Sequence, residues 1–282
     1  MARLKRAAAI HDISGVGKCS LTVALPILSA AGIECSVIPT AVLSTHTGGF
    51  DNFTYRDLTE DILPIAKHWA SLNLKFDSIY TGYLGSEKQV EIIIKTIDLL
   101  KSKETLILVD PVMADAGELY KTFDNSFPKK MLSLCKKADI LIPNITEGCL
   151  LTETPYQNGP YSKDFIENLI EKLKKVTDKK IVLTGVCFDE DTLGCACFDD
   201  ETGKIDYCFS NQIKGFFHGT GDVFGSVLLA SIMNGKSLKE SAQIAVDFTA
   251  SAIRRTKDDN TDVRFGVRFE DELPNLIKLL SK

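Results

Sequence analysis

The chain has 282 residues, 44% of them hydrophobic and 25% charged, with 19 glycines and 9 prolines. This is the composition of an ordinary globular protein, and it excludes the disordered and fibrous classes. A formal net charge of −5 argues against a bulk nucleic-acid binder, because neutralising phosphates needs clustered Lys and Arg. The basic run Arg3-Leu4-Lys5-Arg6 is too short for that task.

No stretch reaches the roughly 18 apolar residues of a membrane span. The run Ala7-Ala8-Ala9-Ile10 is cut by His11 and Asp12 before it could serve as a secretory signal. The eight cysteines, at 19, 35, 135, 149, 187, 195, 197 and 208, form no C-x-x-C pair and no dense framework. A reducing, cytoplasmic setting is therefore expected. Cys195 and Cys197 fall on one face of an alternating pattern and read as packing residues rather than a metal or redox site.

In chain order, short branched apolar runs predict strands at Ala7–Ile10, Cys35–Ile38, Phe76–Tyr80, Leu106–Val109, Ile140–Ile142 and Ile181–Leu183. Near-continuous apolarity fits strands covered on both faces, as in a parallel sheet. Helical patterns lie between them, such as Glu87–Leu100 with Val90, Ile93, Ile94 and Ile97, and Phe165–Val176 with Ile166, Leu169, Ile170 and Leu173. The strand patterns Leu193–Phe198 and Ile205–Phe209, joined by the polar segment Asp199–Lys204, predict a β-hairpin at one edge. The last third reads as helical, over Val223–Met233, Leu238–Arg254 and near Asp271–Leu280. Alternating β and α elements predict an α/β fold with a doubly wound, mostly parallel sheet flanked by helices and an antiparallel hairpin at one edge. With no repeat and no linker, residues 1–282 are expected to form one domain.

Ligands of open α/β sheets bind beyond the carboxyl ends of the strands, and these ends are rich in small, acidic and amide residues. They are His11–Gly17, Thr81–Ser86, Asp110–Gly117, Asn144–Glu147 and Thr184-Gly185. The sharpest element is Phe217-His218-Gly219-Thr220-Gly221-Asp222, a glycine-rich turn opening a long apolar helix. Backbone N–H groups at such a start form an anion site favoured by the helix dipole. Asp222 could alternatively serve only to complement that dipole. Gly15-Val16-Gly17-Lys18-Cys19-Ser20 is not a Walker loop, since Asp12 stands at the first glycine position and Cys19 replaces Ser/Thr. It also lacks the third glycine of a dinucleotide fingerprint.

The stretches AAIHDISGVGKCSL, VLSTHTGG, TGYLGS, DPVMADAGELY, IPNITE and HGTGD resemble, in order and spacing, the pyridoxal kinases of the ribokinase-like superfamily. The resemblance covers about Ala7 to Ser251, and TGYLGS with DPVM is its most specific part. It implies ATP with Mg²⁺, phosphorylation of the 5′-hydroxymethyl group of a B6 vitamer, a monovalent cation such as K⁺, and a homodimer.

Position by position, the resemblance makes Asp222 the catalytic base and Gly219, Thr220 and Gly221 the anion hole. It puts Asp12, His46, Thr47 and Tyr83 in the substrate pocket, and Asp110, Asp115, Asn144, Glu147, Thr184 and Gly185 around ATP. Glu147 and Asp110 would serve the metal through water or phosphate. As bare sequence, Asn144 and Glu147 equally form a helix cap, and Asp110-Pro111 a strand-ending turn. Asp12 followed by Ser14-Gly15 looks more like the hydroxymethylpyrimidine kinases of the same superfamily, which stand as the alternative. A non-catalytic vitamin-binding protein is the remaining reading.

Overall fold

A segment such as Leu106–Val109, apolar at every position, is at home only where helices cover both faces of a sheet. In the computed structural model, which describes residues 3–281, that is where it lies. The strands are β1 (Arg6–Val16), β2 (Glu34–Thr45), β3 (Tyr55–Asp57), β4 (Ser78–Thr81), β5 (Leu106–Val109), β6 (Ala114–Asp115), β7 (Glu118–Leu119), β8 (Ile140–Leu141), β9 (Lys180–Val186), β10 (Thr192–Asp199) and β11 (Lys204–Asn211). The main sheet runs β11-β10-β9-β8-β5-β4-β1-β2-β3, and β6 and β7 form a separate small hairpin. From β9 through β2 every pairing is parallel. The expected hairpin of β10 and β11 is antiparallel, as is its junction to β9. A second antiparallel strand, β3, pairs with β2 at the opposite edge.

Helices α1 (Leu21–Ala30), α7 (Thr220–Met233), α8 (Leu238–Asp258) and α9 (Leu273–Leu280) cover one face. Helices α2 (Thr59–Ser71), α3 (Glu87–Leu100), α4 (Phe127–Cys135), α5 (Ile145–Leu151) and α6 (Lys163–Leu173) cover the other. Strand residues alternate between these layers: Leu108 packs with α7 and its neighbours, Ile107 and Val109 with the opposite layer. In α3 the stripe Val90, Ile93, Ile97 and Leu100 is buried, and Ser86 caps the helix by accepting from the Gln89 N–H. Helix α7 is buried nearly all round, which sets its first turn firmly against the end of the sheet. No helix among the described residues is long and apolar enough to cross a membrane.

Three expected strand ends are corrected. The first two strands do not end at Ile10 and Ile38 but continue to Val16 and Thr45, so His11–Val16 is strand rather than a following loop. Beyond the helix-covered body β1 and β2 pair with each other in a ribbon whose outer residues are polar or exposed, and continuous apolarity no longer marks it. Likewise Thr184 and Gly185 lie inside β9. Strand β3 gives no hydrophobic signal because its three residues are all exposed. Between His11 and Ile13 the register with β2 slips by one residue, the extra residue lying on β2 opposite Asp12. Irregularities of this kind re-aim side chains beside functional sites.

All eight cysteines are free. Cys195, Cys197 and Cys208 pack together, buried beneath α8, with Cys195 opposite Cys208 in the hairpin register.

Candidate active site

Asp222 is the third residue of α7, and Gly219 occupies the position just before the helix with φ 76°. An L-side chain is disfavoured there, and a Cβ at Gly219 would stand 2.1 Å from the Lys18 carbonyl oxygen. The glycine therefore lets the turn close on the β1–α1 connection. Thr220 Oγ1 donates to the Phe217 carbonyl at 3.3 Å, and Gly221 is exposed at the mouth. The free N–H groups of this first turn and the positive end of α7 make an anion-binding surface. Asp222 faces it with its side chain 17% exposed. Withdrawal from water pushes its carboxyl up to about 7, with the charge of Asp12 adding and the Ser20 backbone N–H pulling the other way.

Asp12 lies at the register slip, 5% exposed. Its Oδ1 accepts from Ser20 Oγ at 2.6 Å and its Oδ2 from Ser14 Oγ at 3.0 Å. Burial still raises its carboxyl above the ordinary range, these hydroxyls opposing. Ser20 takes the unusual φ of 55°, so the same residue that ties Asp12 also presents its N–H to Asp222. The charge of Asp12 is felt at His46, Tyr83 and Asp222.

His46 is 7% exposed, and both ring nitrogens are engaged by backbone: Nε2 donates to the Arg264 carbonyl at 2.6 Å and Nδ1 accepts from the Gly48 N–H at 3.1 Å. Its nitrogens thus order the loop after β2, and its ring packs against His218 and Phe50, with centroids 4.8 and 5.0 Å away. Thr47 is exposed on that loop. Tyr83 is partly buried, with its hydroxyl 3.3 Å from Thr122 Oγ1.

A second acidic group lies beside the first. Asp110, 7% exposed at the end of β5, senses the charges of Glu147 and Asp222; burial first, then these neighbours, lift its carboxyl well above the usual range. Asn144 and Glu147 form a complete capping box on α5. Within that box Glu147 Oε2 accepts from the Asn144 N–H at 2.9 Å, and from outside the helix Oε1 accepts from the Met113 N–H at 3.0 Å. Asn144 Nδ2 donates to the Ala114 carbonyl at 2.8 Å, and Thr184 bridges to Asn144 from β9. Asp115 is exposed on β6, with its charge felt at Glu147. Gly185 is exposed at the end of β9 with φ 79°.

The arrangement thus joins Asp12, His46, Tyr83 and Asp222 on one side, and Asp110, Asn144, Glu147 and Thr184 on the other, with Asp222 and Asp110 between. Thr47, Asp115, Gly185 and Gly221 are exposed. Lys18 is turned away, paired with Glu270 at 2.8 Å. Sequence reasoning missed Ser14 and Ser20. Ser14 was legible in principle: two residues beyond Asp12 in an extended strand, it shares a face with it. Ser20 could not be found that way, because its approach depends on the turn into α1.

The chain resembles known proteins along nearly its whole length. The family model described as phosphomethylpyrimidine kinase matches residues 25–265. The Arabidopsis thaliana pyridoxal kinase is 27% identical over 260 residues, covering 88% of this chain and 81% of its own. Among solved structures, a Bacteroides thetaiotaomicron VPI-5482 protein with a provisional phosphomethylpyrimidine kinase name, in a crystal form with pyridoxal, is 36% identical at a TM-score of 0.92, covering 97% of this chain and 96% of that one. The pyridoxal kinase of Lactobacillus plantarum is 33% identical at a TM-score of 0.90, with 98% of each chain covered. With this breadth of match, the chain belongs to the phosphomethylpyrimidine kinase family, the ribokinase-like group in which pyridoxal kinases are found.

Proposed function

We propose that this protein is a pyridoxal kinase, transferring the γ-phosphoryl group of ATP to the 5′-hydroxymethyl oxygen of pyridoxal, pyridoxine or pyridoxamine. The observation that carries the reaction type is Asp222 held at the anion-binding turn of α7. Phosphoryl transfer asks a protein mainly for alignment and charge stabilisation. Asp222 accepts the proton of the attacking hydroxyl, while the amides of Gly219–Asp222 receive charge that develops on the transferring oxygens. The acid has a pKa near the working pH because it is withdrawn from water.

Asp110 fits a hard cation. Its carboxylate is buried among like charges with no side-chain partner from Lys or Arg among the described residues, a setting that a divalent ion relieves. Asp110, with Glu147 through water or phosphate, would hold Mg²⁺; when bound, the ion neutralises the triphosphate. Asp115, Asn144, Thr184 and Gly185 complete the nucleotide side, where a monovalent cation such as K⁺ belongs to the same reading. Asp12, His46, Thr47 and Tyr83 form the vitamin side. A homodimer in the cytoplasm, acting on small molecules alone, completes the proposal.

Pyridoxal is favoured over a pyrimidine alcohol by the relative crystallised with it. The deciding experiment is steady-state kinetics of the unaltered protein with the three B6 vitamers and hydroxymethylpyrimidine. A B6 vitamer is expected to show the highest kcat/KM; a higher value for the pyrimidine overturns the assignment.

Two variants test the two sides. Asp12→Ala is expected to raise KM for the vitamer about tenfold, the scale of a lost charge-assisted hydrogen bond, with KM for ATP unchanged. Glu147→Gln leaves one of two clamping backbone N–H groups without an acceptor, so Tm falls. The folded variant is also expected to need more Mg²⁺ for half-maximal rate, and an unchanged Mg²⁺ dependence confines Glu147 to capping.

A further inference from the structure

Behind Asp222 lies a buried polar group that the reaction described so far does not use. His11 is fully buried on β1, and neither ring nitrogen has a hydrogen-bond partner among the described residues. The ring stands edge-on to Tyr80, with centroids 4.3 Å apart. It also fills the space above Gly82, where a Cβ would stand 2.2 Å from Nδ1. The residue at 82 must therefore lack a side chain for the imidazole to sit as it does. Nδ1 stands 4.0 Å from Asp222 Oδ1. Tyr80 and Ser226, the latter one turn along α7 from Asp222, are buried beside it, and the Ser226 hydroxyl is the hydrogen-bonding neighbour of the Tyr80 hydroxyl.

An imidazole with two unmet nitrogens is a poor packing residue, since a phenyl or leucyl side chain would fill similar space without leaving buried donors and acceptors unsatisfied. Nδ1 lies 4.0 Å from the one carboxylate whose orientation the reaction depends on. We infer that His11 is a positioning residue for Asp222: the neutral imidazole donates Nδ1–H to one carboxylate oxygen and leaves the other directed at the substrate hydroxyl.

This inference rests on the reading of Asp222 as the base. The distance of 4.0 Å is closed by rotation of the Asp222 side chain as the crevice fills, since catalytic hydrogen bonds are often long until substrate is bound. Burial holds His11 far below the ordinary histidine range, at about 3. The ring therefore orients the carboxylate as a dipole and does not neutralise it as a cation. Asp12, Cys19, Tyr80, Asp110 and Tyr120 are the other titratable groups that share electrostatic contact with Asp222, and none of them carries a positive charge.

The test uses His11→Leu and His11→Gln in the full chain, with ¹⁵N NMR of the histidine rings in the unaltered protein. His11→Leu is expected to lower kcat by about tenfold to 100-fold, the range over which misplacing a catalytic group costs rate, with KM for ATP and vitamer within about twofold. His11→Gln, which keeps an N–H donor, should restore kcat to within a few fold of the unaltered protein. The NMR spectrum should show His11 neutral and protonated on Nδ1. Wild-type kcat in both folded variants, equal losses in both, or a proton on Nε2 overturns the inference. If His11→Leu does not fold, the glutamine variant and the ring tautomer decide it alone. Failure of the unaltered protein to phosphorylate any B6 vitamer or the pyrimidine alcohol would sink the functional reading instead, and the tautomer would still report on the His11–Asp222 pair.

Discussion

Asp222→Asn is expected to lower kcat by about 100-fold or more while KM for both substrates stays within a few fold, because a general base acts in the transition state rather than in binding. Activity near that of the unaltered protein would remove Asp222 from this role. A pH dependence accompanies it. The folded carboxyl titrates at about 7, and the base works only when ionised, so kcat/KM should fall as pH drops below about 7 and level off above it. Stability runs the opposite way. In the unfolded chain this acid ionises near the ordinary carboxylate value, whereas the folded state keeps its proton to higher pH. Asp222 therefore weakens the fold progressively between those two values as pH rises. Asp222→Asn should then raise Tm at pH 8 relative to the unaltered protein and have little effect near pH 4. An inactive variant that is more stable at alkaline pH could not be dismissed as misfolded; a lower Tm at pH 8 would contradict the assigned environment of Asp222.

Gly219→Ala should have the next largest effect. At φ 76° an L-residue is strained by about 1–2 kcal/mol, and the added carbon would stand 2.1 Å from the Lys18 carbonyl oxygen. Backbone atoms cannot rotate out of the way as a flexible side chain can, so either the first turn of α7 or the β1–α1 connection must move. That connection carries Ser20, which holds Asp12 by a 2.6 Å hydrogen bond and presents its N–H to Asp222. A displacement of about 1 Å at a reacting group costs up to roughly 100-fold in rate, and kcat is expected to fall on that scale with a measurable loss in Tm. Gly221→Ala serves as the comparison, because nothing lies within 4 Å of a Cβ there; it should retain a Tm close to that of the unaltered protein. Equal effects of the two alanines would rule out the close approach at Gly219 as the cause.

How much of this was legible beforehand depended on whether the signal was local. The parallel body of the sheet, the β10–β11 hairpin and α3 could be read from the chain, because burial on one or both faces imposes a pattern of period two, period 3.6 or unbroken apolarity on neighbouring residues. The glycine turn before α7 was legible for the same reason, as backbone that needs a positive φ selects glycine. By itself, then, the sequence determined the fold class, the place of Asp222 and the capping pair Asn144–Glu147. The ribbon of β1 and β2 beyond the helix-covered body, the exposed β3, and the register slip opposite Asp12 were decided only by tertiary pairing, which leaves no periodic mark on either strand. The same holds for the site's support. Ser20 reaches Asp12 across a turn, Met113 reaches Glu147 from a different segment, the Arg264 carbonyl binds His46 from 218 residues away, and His11 faces Asp222 across the sheet–helix interface. These contacts join residues whose spacing along the chain carries no information about their separation in space.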